Sequence, residues 1–179
     1  MYTIADIRNE YKRLDAIVGE NISELPIEIS YNNSRKAGCY CSTVSCGRVY
    51  GEKFIISGFS LNATEHNFYD TIRHEYAHAL ATRREGRRCG HSAVWRKYAV
   101  MVGANPRATY AADEKEVEYR INQLSKKGKG YTVTCEKCNH VFVYQRMGKI
   151  VKALLNGSGN DGKYTCPVCG GHTFKAEKI

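Results

Sequence analysis

The sequence predicts an α+β fold, helices with a small sheet, followed by a small β module held by metal. Three observations carry that prediction. Apolar residues recur at helical spacing through residues 3–18 and again around residue 74, a run at 26–31 alternates apolar and polar, and two Cys-x-x-Cys pairs follow a basic linker. A chain of 179 residues with 42% hydrophobic content has room for one ordinary domain and a small second one.

Taken in order, Ile4, Ile7, Tyr11, Leu14, Ile17 and Val18 mark a first amphipathic helix, closed by Gly19. Pro26-Ile27-Glu28-Ile29-Ser30-Tyr31 alternates as a half-buried strand does, and Asn32-Asn33 supports a turn after it. Gly47 to Ser57 reads as a second strand or a hairpin. A long helix begins between Thr64 and Asn67 and runs to about Arg84, where Gly86 breaks it. A further helical pattern, Ser92 to Gly103, sets Val94, Tyr98 and Met101 around Trp95, with Ser92 suited to the N-cap. Residues 104–130 form a connection in which Asp113–Leu124 has helix-compatible composition, with Val117, Ile121 and Leu124 at helical spacing. Ser125-Lys126-Lys127-Gly128-Lys129-Gly130 reads as a flexible basic linker, which places the domain boundary between residues 1–125 and 126–179.

The long helix carries His74-Glu75-Tyr76-Ala77-His78. Residues four apart lie on one helix face, so His74 and His78 point two imidazoles at one spot, while Phe68, Tyr69, Ile72, Tyr76, Ala79 and Leu80 gather on the other side. The motif reads as a zincin: two histidines hold zinc, and Glu75 beside them takes a proton from the water that attacks a peptide carbonyl. A catalytic zinc takes three protein ligands, and His91, at the start of a helix able to pack back on the first, is the candidate third.

No apolar run is long enough to span a membrane. The start Met1-Tyr2-Thr3-Ile4, with Asp6 following, lacks the basic and apolar regions of a secretory signal, so the expectation is an intracellular protein, cytoplasmic in a prokaryote or virus and nuclear in a eukaryote. Of eight cysteines, four sit in Cys135-Glu-Lys-Cys138 and Cys166-Pro-Val-Cys169, which favours metal thiolates over a disulfide framework. Each pair makes one knuckle of a tetrahedral structural zinc site, so two zinc ions are expected per chain, one catalytic and one structural. The long stretch between the pairs bulges from Gly148 to Gly162 as an extended loop or short helix. So small a module buries little apolar core, and its metal supplies folding energy directly.

Charge is unevenly spread. Residues 126–179 hold ten Lys/Arg and three Asp/Glu, against seventeen and fifteen in residues 1–125. Four thiolates with one zinc ion subtract two charges, which leaves about +5 on the module. DNA, single-stranded included, is the partner this suggests, with Lys137, Arg146, Lys149, Lys152 and Lys163 as candidate phosphate contacts. Tyr131, Phe142, Tyr144 and Tyr164 can stack on bases, but packing inside the module is the better expectation for them individually. Cys39, Cys41, Cys46 and Cys89 can hold a further metal or sense oxidation, though small buried or loop thiols in a reducing cell are the commoner case. His66, His140 and His172 have no catalytic spacing, and four cysteines already complete the ribbon site.

These motifs together resemble the SprT-like (Spartan-type) metalloprotease family: His74-Glu75-Tyr76-Ala77-His78-Ala79-Leu80, then Gly90-His91 followed by Trp95 and Gly103, then a four-cysteine ribbon. The similarity covers most of the chain, and its N-terminal third matches only in the order of elements. The resemblance implies His74, His78 and His91 as zinc ligands, Glu75 as catalytic acid/base, and a minimal zincin-type α+β protease core in which a strand near Phe54 to Ser57 borders the cleft. It further implies substrates that are proteins covalently trapped or tightly bound on DNA. The expectation is therefore a DNA-associated zinc metallopeptidase. The rivals are a non-proteolytic zinc-containing DNA-binding or scaffolding protein, which would not need Glu75, and a hydrolase of a non-peptide bond.

Overall fold

The computed structural model describes residues 1–31, 36–107 and 111–179; the turn expected at Asn32-Asn33 and residues 108–110 of the expected connection lie outside them. The described residues form a mixed α+β structure of five helices and two small sheets, and the chain divides into two compact units, Met1–Tyr110 and Ala111–Ile179.

In the first unit, Thr3 begins α1 (Ile4–Val18) through a reciprocal capping box with Asp6, and Gly19 ends it in the left-handed region. Ile7, Tyr11 and Leu14 are fully buried on one face of α1. Asp15, on the same helix, accepts the backbone N–H groups of Ile22 and Ser23 at 2.9 Å each and the Tyr76 hydroxyl at 2.7 Å. That carboxylate thus fastens α1, the 3₁₀ turn Ile22–Glu24 and α2 (Glu65–Glu85) at one point.

The first sheet has the order β1-β3-β2, with β1 (Ile27–Ser30) parallel to β3 (Arg48–Ser57) and β2 (Gly38–Ser45) antiparallel to it. The expected second strand or hairpin at residues 47–57 is therefore the returning arm of a longer hairpin. Its first arm, β2, lies wholly ahead of that stretch. Cys46 and Gly47 join the arms as a two-residue turn with φ of 49° and 74°. Two positive φ angles give the primed turn that suits a tight hairpin, a place usually marked by Asn-Gly or Asp-Gly. Cysteine in the first position hides that signal.

Phe54 and Ile56 of β3 pack with Tyr11, Phe68, Ile72, Tyr76, Leu80 and Trp95 in the core of this unit. α3 (Ala93–Met101) follows α2 and contributes Trp95, Tyr98 and Ala99 to the buried set.

The second unit starts earlier than the expected boundary at 125/126, because α4 (Glu114–Ser125) packs within it. The Arg120 guanidinium donates to the Val143 carbonyl at 2.8 Å, and a Cβ on Gly130 would stand 3.0 Å from Leu124 Cβ. Residues 125–130 are then a turn inside the unit: Gly128 N–H donates to Ser125 O at 2.9 Å and Lys129 N–H to Leu124 O at 3.1 Å. Basic composition suggested a linker, but helix-end hydrogen bonds and the burial of Leu124 tie the segment down.

The second sheet has the order β5-β4-β6, with β5 (Val141–Tyr144) and β6 (Phe174–Lys178) both antiparallel to β4 (Tyr131–Cys135). The expected bulge at residues 148–162 contains the short helix α5 (Lys149–Leu155). Val133, Cys135, Val151, Cys166 and Phe174 make its small core. Among the described residues no helix is long and apolar enough to cross a membrane.

Candidate metal centres

The first centre is set by α2. Phe68, Ile72, Tyr76, Ala79 and Leu80 are fully buried, which turns His74 and His78 to the opposite face. Gly86 ends α2, residues 87–90 return the chain, and His91 arrives just ahead of Ser92, the N-cap of α3. The three Nε2 atoms converge, with His74–His91 at 2.9 Å, His78–His91 at 3.1 Å and His74–His78 at 3.2 Å. Nitrogens about 2.05 Å from a tetrahedral zinc stand roughly 3.3 Å apart, so the triangle fits one such ion closely.

Trp95, fully buried, packs its ring against all three imidazoles, with centroids 4.6, 5.0 and 4.7 Å from those of His74, His78 and His91. Burial pushes His74 down to about 4 and His78 down to about 3, and neighbouring imidazoles add to both shifts. Burial, with Arg96, lowers His91 as well. The rings are neutral at neutral pH, which is the form whose ring nitrogen can donate its lone pair to a metal.

Glu75, 7% exposed, lies between the two helix histidines in sequence, and its Oε2 accepts the Tyr40 backbone N–H at 2.7 Å. Burial raises its carboxyl to about 7, against the opposing pull of that N–H and of Lys36. The carboxylate can sit there because residue 38 is glycine: a Cβ on Gly38 would stand 2.7 Å from Glu75 Cγ. Tyr40 is itself braced. Its hydroxyl donates to Glu52 Oε1 at 2.6 Å, and Arg83 of α2 donates to the same carboxylate at 2.8 and 3.0 Å. Sequence reasoning found His74, Glu75, His78 and His91 but missed Gly38 and Tyr40. A lone Gly two residues ahead of an aromatic in an unassigned strand carries no signal that it will meet a residue on α2.

Glu75 and the histidines open on a cleft of about 680 Å³, walled by Gly38–Ser42 of β2 on one side and by α2 and residues 88–91 on the other. Arg88 donates to the Ser42 carbonyl and ties the returning loop to the strand. The strand expected to border the cleft, Phe54 to Ser57, does not line it. Those residues lie in β3, the central strand, where Phe54, Ile56 and Ser57 are fully buried, and the edge strand β2 takes the place beside the cleft.

The second centre brings Cys135, Cys138, Cys166 and Cys169 within 4.8 Å of one another, a cluster that could hold a metal ion. Cys135 and Cys169 sulfurs are 3.7 Å apart and those of Cys138 and Cys166 3.8 Å. Sulfurs about 2.3 Å from a tetrahedral zinc stand roughly 3.8 Å apart, so the fit is close here too. The two halves are built alike. Asn139 N–H donates to Cys135 O and Gly170 N–H to Cys166 O, at 2.8 and 2.9 Å, and Asn139 and Gly170 are both left-handed, with φ of 57° and 70°. Each Cys-x-x-Cys pair therefore folds into the same turn, aiming both sulfurs inward.

The remaining candidates are placed as follows. Lys137, Arg146, Lys149, Lys152 and Lys163 are all exposed. Tyr131, Phe142, Tyr144 and Tyr164 are half-buried against the second core, which favours packing over stacking on bases. The His140 ring packs edge-on against Phe142, and His172 Nδ1 lies 3.0 Å from the Tyr164 carbonyl oxygen, neither joining the cysteine cluster. Cys39, Cys41, Cys46 and Cys89 are free thiols and join no three-ligand cluster among the described residues. No protein-family model matches the chain, and no curated protein matches its sequence.

Proposed function

We propose that this chain is a DNA-associated zinc metallopeptidase, with a zincin-type N-terminal unit that hydrolyses peptide bonds and a C-terminal zinc ribbon that binds DNA. One observation carries the reading: three convergent imidazoles share a cleft with a buried carboxyl from the helix that carries two of them, beside the edge strand β2. A metal site kept for structure alone has no use for that carboxyl.

His74, His78 and His91 would hold the catalytic zinc, which when bound supplies Lewis acidity toward a carbonyl oxygen and lowers the pKa of water. The edge of β2 would receive an extended segment of substrate through main-chain hydrogen bonds, which bind with little regard for side chains. Glu75 then acts as base toward the attacking water and returns the proton to the departing amine. A carboxyl near 7 suits both transfers at neutral pH, and the Tyr40 N–H stabilises its charged form between them. Trp95, packed on all three rings, holds the imidazoles in one orientation.

In the second unit, Cys135, Cys138, Cys166 and Cys169 would hold the structural zinc. The exposed Lys137, Arg146, Lys149, Lys152 and Lys163 offer phosphate contacts, and binding through them weakens steeply with salt. Resemblance to SprT-like proteases suggests proteins crosslinked to or tightly held on DNA as substrates.

The test is cleavage of a DNA-bound basic protein by the zinc-loaded chain, with single-stranded DNA, duplex or no DNA, and Glu75→Gln as control. Cleavage is expected to require DNA and to fall by about 10²–10⁴-fold in Glu75→Gln at unchanged zinc content. A chain that binds DNA and two zinc ions yet cleaves under none of these conditions would be a non-proteolytic DNA-binding scaffold.

A further inference from the structure

Two cysteines that the peptidase reading leaves unused flank the backbone N–H that donates to Glu75. Cys39 and Cys41 are free thiols two residues apart on β2, so their side chains leave the same face of the strand. Their sulfurs are 3.7 Å apart, both residues are half-buried, and both line the cleft. Between them sits Tyr40, whose N–H donates to Glu75.

We propose that Cys39 and Cys41 are an oxidative modification site, a dithiol that closes to a disulfide and in closing draws the Tyr40 backbone away from Glu75. Alternate residues of an extended strand lie roughly 6.6 Å apart at Cα. That is near the upper end of the span, about 4.4–6.8 Å, that a disulfide bridges. Forming the bond therefore contracts the strand at Tyr40. β2 is free to give there, because it is an edge strand and its register with β3 slips between Cys41 and Thr43.

The oxidant is a hydroperoxide. Cys41 Sγ attacks one peroxide oxygen, the O–O bond breaks, and with hydrogen peroxide one water leaves as Cys41 becomes a sulfenic acid. Cys39 Sγ then attacks Cys41 Sγ, the S–S bond forms, and the sulfenic hydroxyl departs with the Cys39 proton as a second water. Two thiols have lost two electrons and the peroxide has gained them. The order follows from the surroundings of Cys39: burial, then the neighbouring Cys41 thiol and the Glu75 carboxylate, push its thiol up to about 11, which suits the resolving partner rather than the first nucleophile. A dithiol reductant reverses the bond.

The effect on catalysis rests on the peptidase reading, whereas the bond itself does not, and the experiment separates them. Cys46 shares a tryptic peptide with the pair, so the full-length, zinc-loaded chain carries Cys46→Asn, a residue suited to that left-handed turn position. It is treated with limiting hydrogen peroxide, alkylated, and cut with trypsin. The peptide from Ala37 to Arg48 should lose two hydrogens and both alkyl adducts and regain the adducts after dithiothreitol. Amide exchange at Tyr40 should quicken by about tenfold or more, and Cys39→Ser should abolish both changes. Full alkylation of the pair, a link from either residue to Cys89, or unchanged Tyr40 exchange after the bond forms would overturn the proposal. Oxidised enzyme that cleaves at the reduced rate would overturn it as well. A chain that forms the bond and shows the Tyr40 change but never cleaves supports this site and counts against the peptidase.

Discussion

At Gly38 the absence of one methyl group decides where a carboxylate can sit. The Glu75 side chain occupies the space a Cβ would fill and there meets the Tyr40 N–H, so this carboxyl is placed by a strand far from it in sequence. Gly38→Ala should lower turnover about tenfold or more while the melting temperature moves by only a few degrees, since the change displaces a functional side chain and leaves the core intact. Turnover equal to the parent's, measured beside a thermal melt, would sink this account. The four residues of the histidine-glutamate site were legible because helix geometry sets His74 and His78 on one face with Glu75 next to them in sequence, and metal chemistry demands a third ligand. Gly38 and Tyr40 were not legible, because their role exists only after β2 has paired with β3 and packed beside α2.

Between elements, buried carboxylates join α1 to α2. Asp15 has three donors around it, and its replacement by alanine leaves two backbone N–H groups and the Tyr76 hydroxyl without that partner. Asp15→Ala should cost about 3 kcal/mol, read as a lower urea midpoint at unchanged slope. Glu10 joins the same pair of helices through Arg73 at 2.7 Å and also pairs with Arg13. Burial works to raise the Glu10 carboxyl, but the hydrogen bonds and charges of Arg13 and Arg73 outweigh it and hold it below its ordinary value of 4.5. A lowered folded pKa means that its contribution is present above 4.5 and fades as pH falls through the folded value. Unfolding free energy followed from pH 6 downward should show a shallower acid decline in Glu10→Gln than in the parent. The hairpin belongs to this scale too. Its returning arm was legible from residues 47–57, while β2 escaped notice because Cys46 stands where Asn or Asp would have announced the turn.

For the whole molecule, the placement of α4 changes what a foldable piece is. A fragment from Ala111 to Ile179 should bind one zinc ion and give a dispersed amide spectrum that collapses when the metal is chelated. A fragment from Lys126 should bind zinc but be less stable, since it lacks Arg120 and Leu124. Equal stability of the two fragments would return the boundary to the linker suggested by composition. The residues of both candidate metal sites and the long helix were legible in the sequence alone, which left the stretch between the cysteine pairs open between an extended loop and a short helix. They rest on local rules: helical periodicity, the face shared by residues four apart, and the spacing that lets one turn of chain present two sulfurs. Tertiary structure decided which strand faces the cleft, which backbone N–H holds Glu75, that Trp95 backs all three imidazoles, and that α4 belongs with the unit that holds the four-cysteine cluster. Those outcomes depend on pairing and burial between residues distant in the chain, and no local pattern of side chains encodes which distant partner will arrive.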